Sequence, residues 1–114
     1  MSKRRKEYIG AQGEVSIFRL FDEPDLQDTV PGTLIISHSE SGHHHALTGG
    51  TVMERTKDVP AGMKIFYAIL ENPERFEHQA PHAHECYNLT PGAYEFRLAR
   101  EYDHFLNEAR RVQD

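Results

Sequence analysis

The chain lacks several features that define common classes of protein. It has a single cysteine, Cys86, so no disulfide can form within the chain. This usage fits a reducing compartment, and we expect a cytoplasmic protein. It has no tryptophan, no apolar run approaching the roughly 20 residues that cross a bilayer, and no apolar signal segment after Met1. We therefore expect neither membrane insertion nor secretion.

An excess of positive charge is also missing. The chain has 18 acidic and 13 basic residues, which gives a net charge of −5 with histidine neutral. Nucleic acid is therefore not an expected partner. The local exception is the basic run Lys3-Arg4-Arg5-Lys6, and residues 1–10 are interpreted as a flexible basic arm, with phosphate contact as the alternative role.

Extended segments separated by turn signals indicate the fold class. At 114 residues, the chain has the size of a single domain, 1–114. Segments rich in β-branched and aromatic residues alternate with turn sequences such as Pro91-Gly92. We predict strands over residues 13–21, 33–37, 43–47, 51–56, 64–70 and 94–98, and a long loop over residues 22–32. Residues 64–70 could also be part of a core helix, but their brevity and their Ile, Phe and Tyr favour a strand.

With the turn signals between them, these segments suggest seven or eight short strands in all, which favours an all-β fold, as a small antiparallel barrel or sandwich. A short C-terminal helix is predicted over residues 103–112, with Asp103 as its N-terminal cap.

Histidine is the residue type that the chain has in abundance, with eight copies. On a strand, residues two apart face the same side about 6.5–7 Å apart. His43 and His45 could therefore bind one ion while His44 points away. His82 and His84 meet the same condition if their segment is extended. Two such pairs facing each other would give three or four nitrogen ligands, and three ligands with an open position are usual in a catalytic site.

Imidazole suits several metals, so we expect a transition metal, with zinc first and iron, manganese or nickel as alternatives. Glu40 and Glu101 are candidates to move protons beside such an ion. The alternative interpretation is that the histidines are structural or lie on a solvated surface.

Several short motifs follow one another in a distinctive order. They are Gln12-Gly13-Glu14-Val15, Glu40-Ser41-Gly42-His43-His44-His45, His78 with His84, Leu89-Thr90-Pro91-Gly92-Ala93-Tyr94, and Arg100-Glu101-Tyr102. This order resembles a family of small uncharacterised proteins of bacteriophages and bacteria. The resemblance implies that His43 and His45 matter more than His44. It also favours His78 with His84 over His82 with His84, and it implies no particular activity.

A looser resemblance concerns architecture. A His-x-His on a strand, a later histidine and a Pro-Gly turn are similar to the cupins, small β-barrels that hold Mn, Fe, Zn or Ni inside the barrel. The resemblance implies a cupin-like or β-roll arrangement. Cupins carry a glutamate a few residues after His-x-His, whereas Glu54 is the first acid after His45 here.

Three functions follow as competing expectations. The first is a phage or bacterial accessory protein whose histidine-bound metal activates water on a small-molecule substrate. The second is a non-enzymatic module that binds a host protein or small ligand, with structural histidines. The third is a β-domain that assembles into a homo-oligomer through exposed strand edges. The sequence names no substrate.

Overall fold

The computed structural model describes residues 5–38, 43–79 and 86–99, and every regular element in them is a strand. Within these ranges the strands are β1 (Lys6–Gln12), β2 (Val15–Leu20), β3 (Thr29–Pro31), β4 (Ile35–Ser37), β5 (His45–Leu47), β6 (Thr51–Arg55), β7 (Lys64–Leu70), β8 (Glu74–His78), β9 (Cys86–Leu89) and β10 (Gly92–Leu98). They form two antiparallel sheets, which confirms the predicted all-β class.

The larger sheet has the strand order β1-β2-β10-β7-β6-β3. Its centre is β10, whose alternating Tyr94, Phe96 and Leu98 lie in the core as the period-2 pattern predicts. β10 pairs on one side with β2 and on the other with β7, so Phe96 lies opposite both Ile17 and Phe66. The middle of the sheet thus combines β2 from the N-terminal part of the described chain, β7 from its centre and β10 from its C-terminal part.

The smaller sheet has the order β4-β5-β8-β9 and covers the inner face of the larger one. Phe76 of β8 is fully buried, and its ring centroid lies 4.9 Å from that of Phe96. Burying an aromatic side chain of this size contributes about 1.5–3 kcal/mol. The core therefore lies between the sheets, as in a sandwich.

The two sheets are also joined at their edges. On one side, the hydroxyl of Tyr87 in β9 donates a hydrogen bond to the carbonyl of Ala11 in β1 at 3.1 Å. On the other side, Gly32 N donates to Val52 O at 2.8 Å and Leu47 N donates to Leu34 O at 2.9 Å. The short segment after β3 thus leaves the larger sheet and enters the smaller one directly.

The structure corrects several sequence predictions. Residues 6–10 of the expected flexible arm belong to β1, because they pair with β2 despite their charged start. The predicted loop over residues 22–32 contains β3, a three-residue edge strand paired with β6. β8 and β9 were not predicted, since β8 has Phe76 as its one large apolar residue. The predicted helix over residues 103–112 lies outside the described residues.

None of the residues that the structure describes belongs to a helix with the length and apolar character needed to span a bilayer.

Candidate functional site

The topology of the smaller sheet gathers histidines at one of its ends. β4 ends at Ser37, β5 begins at His45 and β8 ends at His78, and antiparallel pairing brings these three termini together. The described histidines at this place, here called the histidine end, are His38, His43, His44, His45 and His78. A backbone hydrogen bond from Gln79 N to His44 O at 2.7 Å extends the pairing of β5 and β8 past His45.

Three side chains form a row across the inner face of this sheet. His45 pairs with His78 in regular register, so these two side chains point the same way. On its other side His45 pairs with Ser37 at an irregularity of β4, where both Ile36 and Ser37 are buried. Ser37 is 1% exposed and His45 is 6% exposed. The rings of His45 and His78 stack with centroids 4.2 Å apart and planes 13° apart. The row therefore places an imidazole inside the sandwich, with a second one against its face.

Gln12 of the larger sheet orients the ring of His45. Its Nε2 donates a hydrogen bond to the carbonyl of Phe76 at 3.2 Å, so its Oε1 faces His45 Nδ1 at 2.7 Å. Because Oε1 can only accept, Nδ1 carries the proton, and the lone pair of the neutral ring is on Nε2. Gly13, in the turn between β1 and β2, leaves room for this ring, because a Cβ there would lie only 2.9 Å from His45 Nε2. Its φ of +59° is also a conformation that glycine adopts without strain.

The stacked geometry limits what His45 and His78 can do together. The lone pair of an imidazole lies in the plane of its ring, and these two planes are nearly parallel. One ion at about 2.0–2.1 Å from a nitrogen of each ring could not lie in both planes. Both could bind one ion only if one ring turned. Within the three described stretches, no group of three His, Cys, Asp or Glu side chains is arranged to hold a metal.

The other predicted site residues are placed as follows. His43 lies before β5, so the strand alternation that would align it with His45 does not reach it. His44 packs against His38 with ring centroids 5.2 Å apart, and this second pair is distinct from the stack of His45 and His78. The predicted ligands His82 and His84 and the predicted acids Glu40 and Glu101 lie outside the described residues.

Cys86 is exposed and points away from the row of Ser37, His45 and His78. It pairs with Glu77, and Glu77 pairs with Ala46, which lies between two inward-facing positions of β5. Glu77 also accepts a hydrogen bond from Arg75 Nε at 2.8 Å, and this contact raises the pKa of Arg75 above its usual value. The outer face of the smaller sheet is therefore charged, and its thiol is not part of the histidine site.

Sequence reasoning missed two residues of the site. Gln12 belongs to one of the sequence motifs described above. A polar residue at the end of a strand, however, does not indicate that its side chain will hydrogen bond to another sheet. Ser37 gave no signal at all. Its Oγ is buried and has no hydrogen-bond partner in the part of the chain that the structure describes. An unsatisfied buried hydroxyl costs about 1–3 kcal/mol, so it marks a place where a water or ligand would be stabilised.

Comparisons with known proteins give a family and no activity. No curated protein and no solved structure is significantly similar to the chain. One family model, described as a domain of unknown function (DUF8820), matches residues 11–99. The matched range includes Gln12, Ser37, His45 and His78, together with both sheets from β2 onward. The chain therefore belongs to the DUF8820 family of domains of unknown function.

Proposed function

We propose that the histidine end binds a transition metal ion, with Nε2 of His45 as one ligand. The observation that carries this proposal is the hydrogen bond between His45 Nδ1 and Gln12 Oε1 at 2.7 Å. Metal-binding histidines usually donate their second ring N–H to a carbonyl, carboxylate or water, which fixes the tautomer and raises the basicity of the other nitrogen. Gln12 supplies this acceptor, and its own amide is held by Phe76 O.

A single imidazole does not make a stable site, because structural and catalytic zinc sites use three or four protein ligands. His78 stacks on His45 and could join it at one ion only with its ring turned. His82 and His84 lie in the sequence between Gln79 and Cys86, where the chain leaves β8 and returns in β9. In the proposal the further ligands are drawn from His43, His78, His82 and His84. A bound ion of this kind lowers the pKa of a coordinated water and can make it a nucleophile.

The buried hydroxyl of Ser37 supports a polar occupant beside His45. The two residues are cross-strand partners at an irregularity in the register of β4 and β5. Ser37 Oγ has no partner in the described residues, and it could hydrogen bond to a water or ligand held there. In the proposal Glu40 and Glu101 remain candidates to take the proton of that water.

The test is metal binding by the full chain, purified without an immobilised nickel column. Metal content is measured by mass spectrometry, and Zn²⁺, Fe²⁺, Mn²⁺ and Ni²⁺ are then titrated calorimetrically. We expect close to one equivalent of one metal. His45→Gln should lower its affinity by about 100-fold or more, and Gln12→Leu by about 10–100-fold, since loss of an outer-shell partner typically has an effect of that size. Gln27→Ala is the control, because Gln27 is exposed and lies outside the histidine end.

A structural role for His45 is the competing function, favoured by its 6% exposure and its stacking on Phe76 with ring centroids 6.2 Å apart. That role predicts that His45→Gln lowers stability equally with and without added metal. If no metal copurifies and none of the four ions binds on addition, the metal proposal is wrong and the structural role stands.

A further inference from the structure

A cleft lies on the outer face of the larger sheet, on the side away from the core. The chain leaves β2 near one edge of this sheet and enters β3 at the opposite edge, so residues 21–28 pass four strand spacings, or about 19 Å. This connection, the turn after β6 and the outer faces of β7 and β10 enclose a cleft of about 770 Å³. That volume lies within the range of about 300–1,000 Å³ that is usual for small-molecule sites.

The floor of the cleft is positively charged around a buried carboxylate. The side chain of Glu95 is 4% exposed, and its Oε2 accepts hydrogen bonds from Lys6 Nζ and Arg97 Nε. Two cations around one anion leave a net positive charge. Arg97 uses only Nε in this contact, and its guanidinium group lies over the ring of Phe18 at 5.7 Å from the centroid, so its two terminal NH₂ groups make no hydrogen bond to a described residue. They are available to a ligand.

Arg55 adds a second guanidinium to the floor. Its Nε donates to Lys57 O at 2.8 Å and its Nη1 donates to the hydroxyl of Tyr67 at 3.4 Å, which fixes its direction and leaves Nη2 unused within the described chain. Arg55 and Arg97 are on the two strands that flank β7, so their Cα atoms are about 9–10 Å apart. Two guanidinium groups on the same face of a sheet favour a carboxylate or phosphate ligand.

The rim of the cleft is mainly acidic, although the exposed Lys57 also lines it. The side chains of Asp22, Glu23, Asp28 and Asp58 make no hydrogen bond or ion pair with any described residue, and all four line the opening. The main chain beneath them is held in place, since Thr56 donates to Asp28 O through both N and Oγ1, each at 2.8 Å. Asp28 and Asp58 both have φ of 57°, a left-handed conformation that Asp and Asn tolerate better than other side chains with a Cβ.

We infer that this cleft binds a small zwitterion, with a carboxylate or phosphate group on Arg55 and Arg97 and an ammonium group against the acidic rim. An anion alone would be attracted by the floor and repelled by the rim, and a cation alone would meet the reverse. A molecule that carries both charges satisfies both surfaces. This site is independent of the histidine end, which is built on the smaller sheet.

The experiment follows amide shifts of the ¹⁵N-labelled full chain at constant ionic strength. The zwitterionic probes are O-phosphoethanolamine and β-alanine, which have a phosphate and a carboxylate, respectively, as the anionic group. The single-charge probes are inorganic phosphate, acetate and ethylamine. We expect one of the zwitterions to bind at least about tenfold more tightly than any single-charge probe, as one added charge-assisted contact of about 1.4 kcal/mol would give. The largest shifts should fall in residues 22–28, 55–58 and 95–97.

Two sets of variants test the two surfaces separately. Arg55→Gln removes a floor cation, and the double variant Asp28→Asn with Asp58→Asn removes two rim carboxylates while keeping residues that accept a left-handed backbone. Each should weaken the zwitterion by about tenfold. Arg75→Gln is the matched control, because Arg75 lies on the other sheet, and it should bind normally. Equal affinity for zwitterion and inorganic phosphate, shifts outside the cleft, or unchanged binding in the Asn variant would each overturn the inference.

Discussion

The side chain of Gln12 in the larger sheet accepts a hydrogen bond from His45 in the smaller sheet, 2.7 Å away in the interior. The same amide donates to Phe76 O, so one buried side chain makes two hydrogen bonds to the opposite sheet. Gln12→Leu keeps much of the volume but leaves His45 Nδ1 and Phe76 O unsatisfied. We expect a loss of about 2–4 kcal/mol in the free energy of unfolding, measured by urea denaturation.

The control for this change is Gln27→Leu at an exposed position, which should alter stability by no more than about 0.5 kcal/mol. Equal midpoints for the two variants would show that the contact between Gln12 and His45 contributes nothing to the fold.

Ser37 gives a prediction that depends on what occupies the interior. Its buried Oγ has no partner in the described chain, so Ser37→Ala in metal-free protein should leave stability unchanged or raise it by up to about 1 kcal/mol. With the metal bound, the same change should lower the affinity if a coordinated water bonds to Oγ. Thermal unfolding with and without the metal measures both effects. A clear loss of stability in metal-free protein would mean that Oγ already has a partner.

Gly10 and Tyr87 close one edge of the sandwich by direct contact. A Cβ on residue 10 would lie 2.9 Å from both Cε1 and Cζ of Tyr87, so Gly10→Ala must displace the ring. We expect a cost of about 1–3 kcal/mol from overpacking. In a Tyr87→Ala background the same substitution should cost much less, because the clash is gone. Additive effects in this double-mutant cycle would place the strain elsewhere.

The pairing of Glu95 with two cations predicts a non-additive response. Lys6→Met or Arg97→Met alone leaves Glu95 with one partner, and we expect each to cost about 1 kcal/mol, since both cations are partly exposed. The double variant leaves a buried carboxylate unpaired and should cost about 3–5 kcal/mol. Arg75→Met, which breaks an exposed pair with Glu77, is the control and should leave the midpoint of urea unfolding almost unchanged. Simple additivity in urea denaturation would contradict this account.

The parts of the fold that sequence predicts are those set by local pattern. β7 was predicted with its observed bounds, because Lys64–Leu70 is an apolar run rich in Ile, Phe and Tyr between turn signals. β10 follows from strict alternation. β3 and β8 have no such local pattern, and they form because neighbouring strands offer backbone hydrogen-bond partners. Pro31 ends β3 at the edge of a sheet, where a missing N–H is tolerated.

The candidate site divides in the same way. The histidine run and its metal-ligand spacing are visible in the sequence, and metal binding stays a prediction. Two features of the site depend on which distant strands pair. They are the contact of His45 with His78 and the hydrogen bond that Gln12 makes from the other sheet. Register between strands separated by some 30 residues in the chain is not encoded in either strand alone.

The central position of β10 has a consequence for biosynthesis. Until Gly92–Leu98 has left the ribosome, β2 and β7 lack the strand that joins them, and each presents unpaired backbone groups. The larger sheet therefore cannot close until nearly all of the described sequence has been translated. A stop codon just before residue 92 would release a polypeptide prone to aggregate rather than a smaller stable domain.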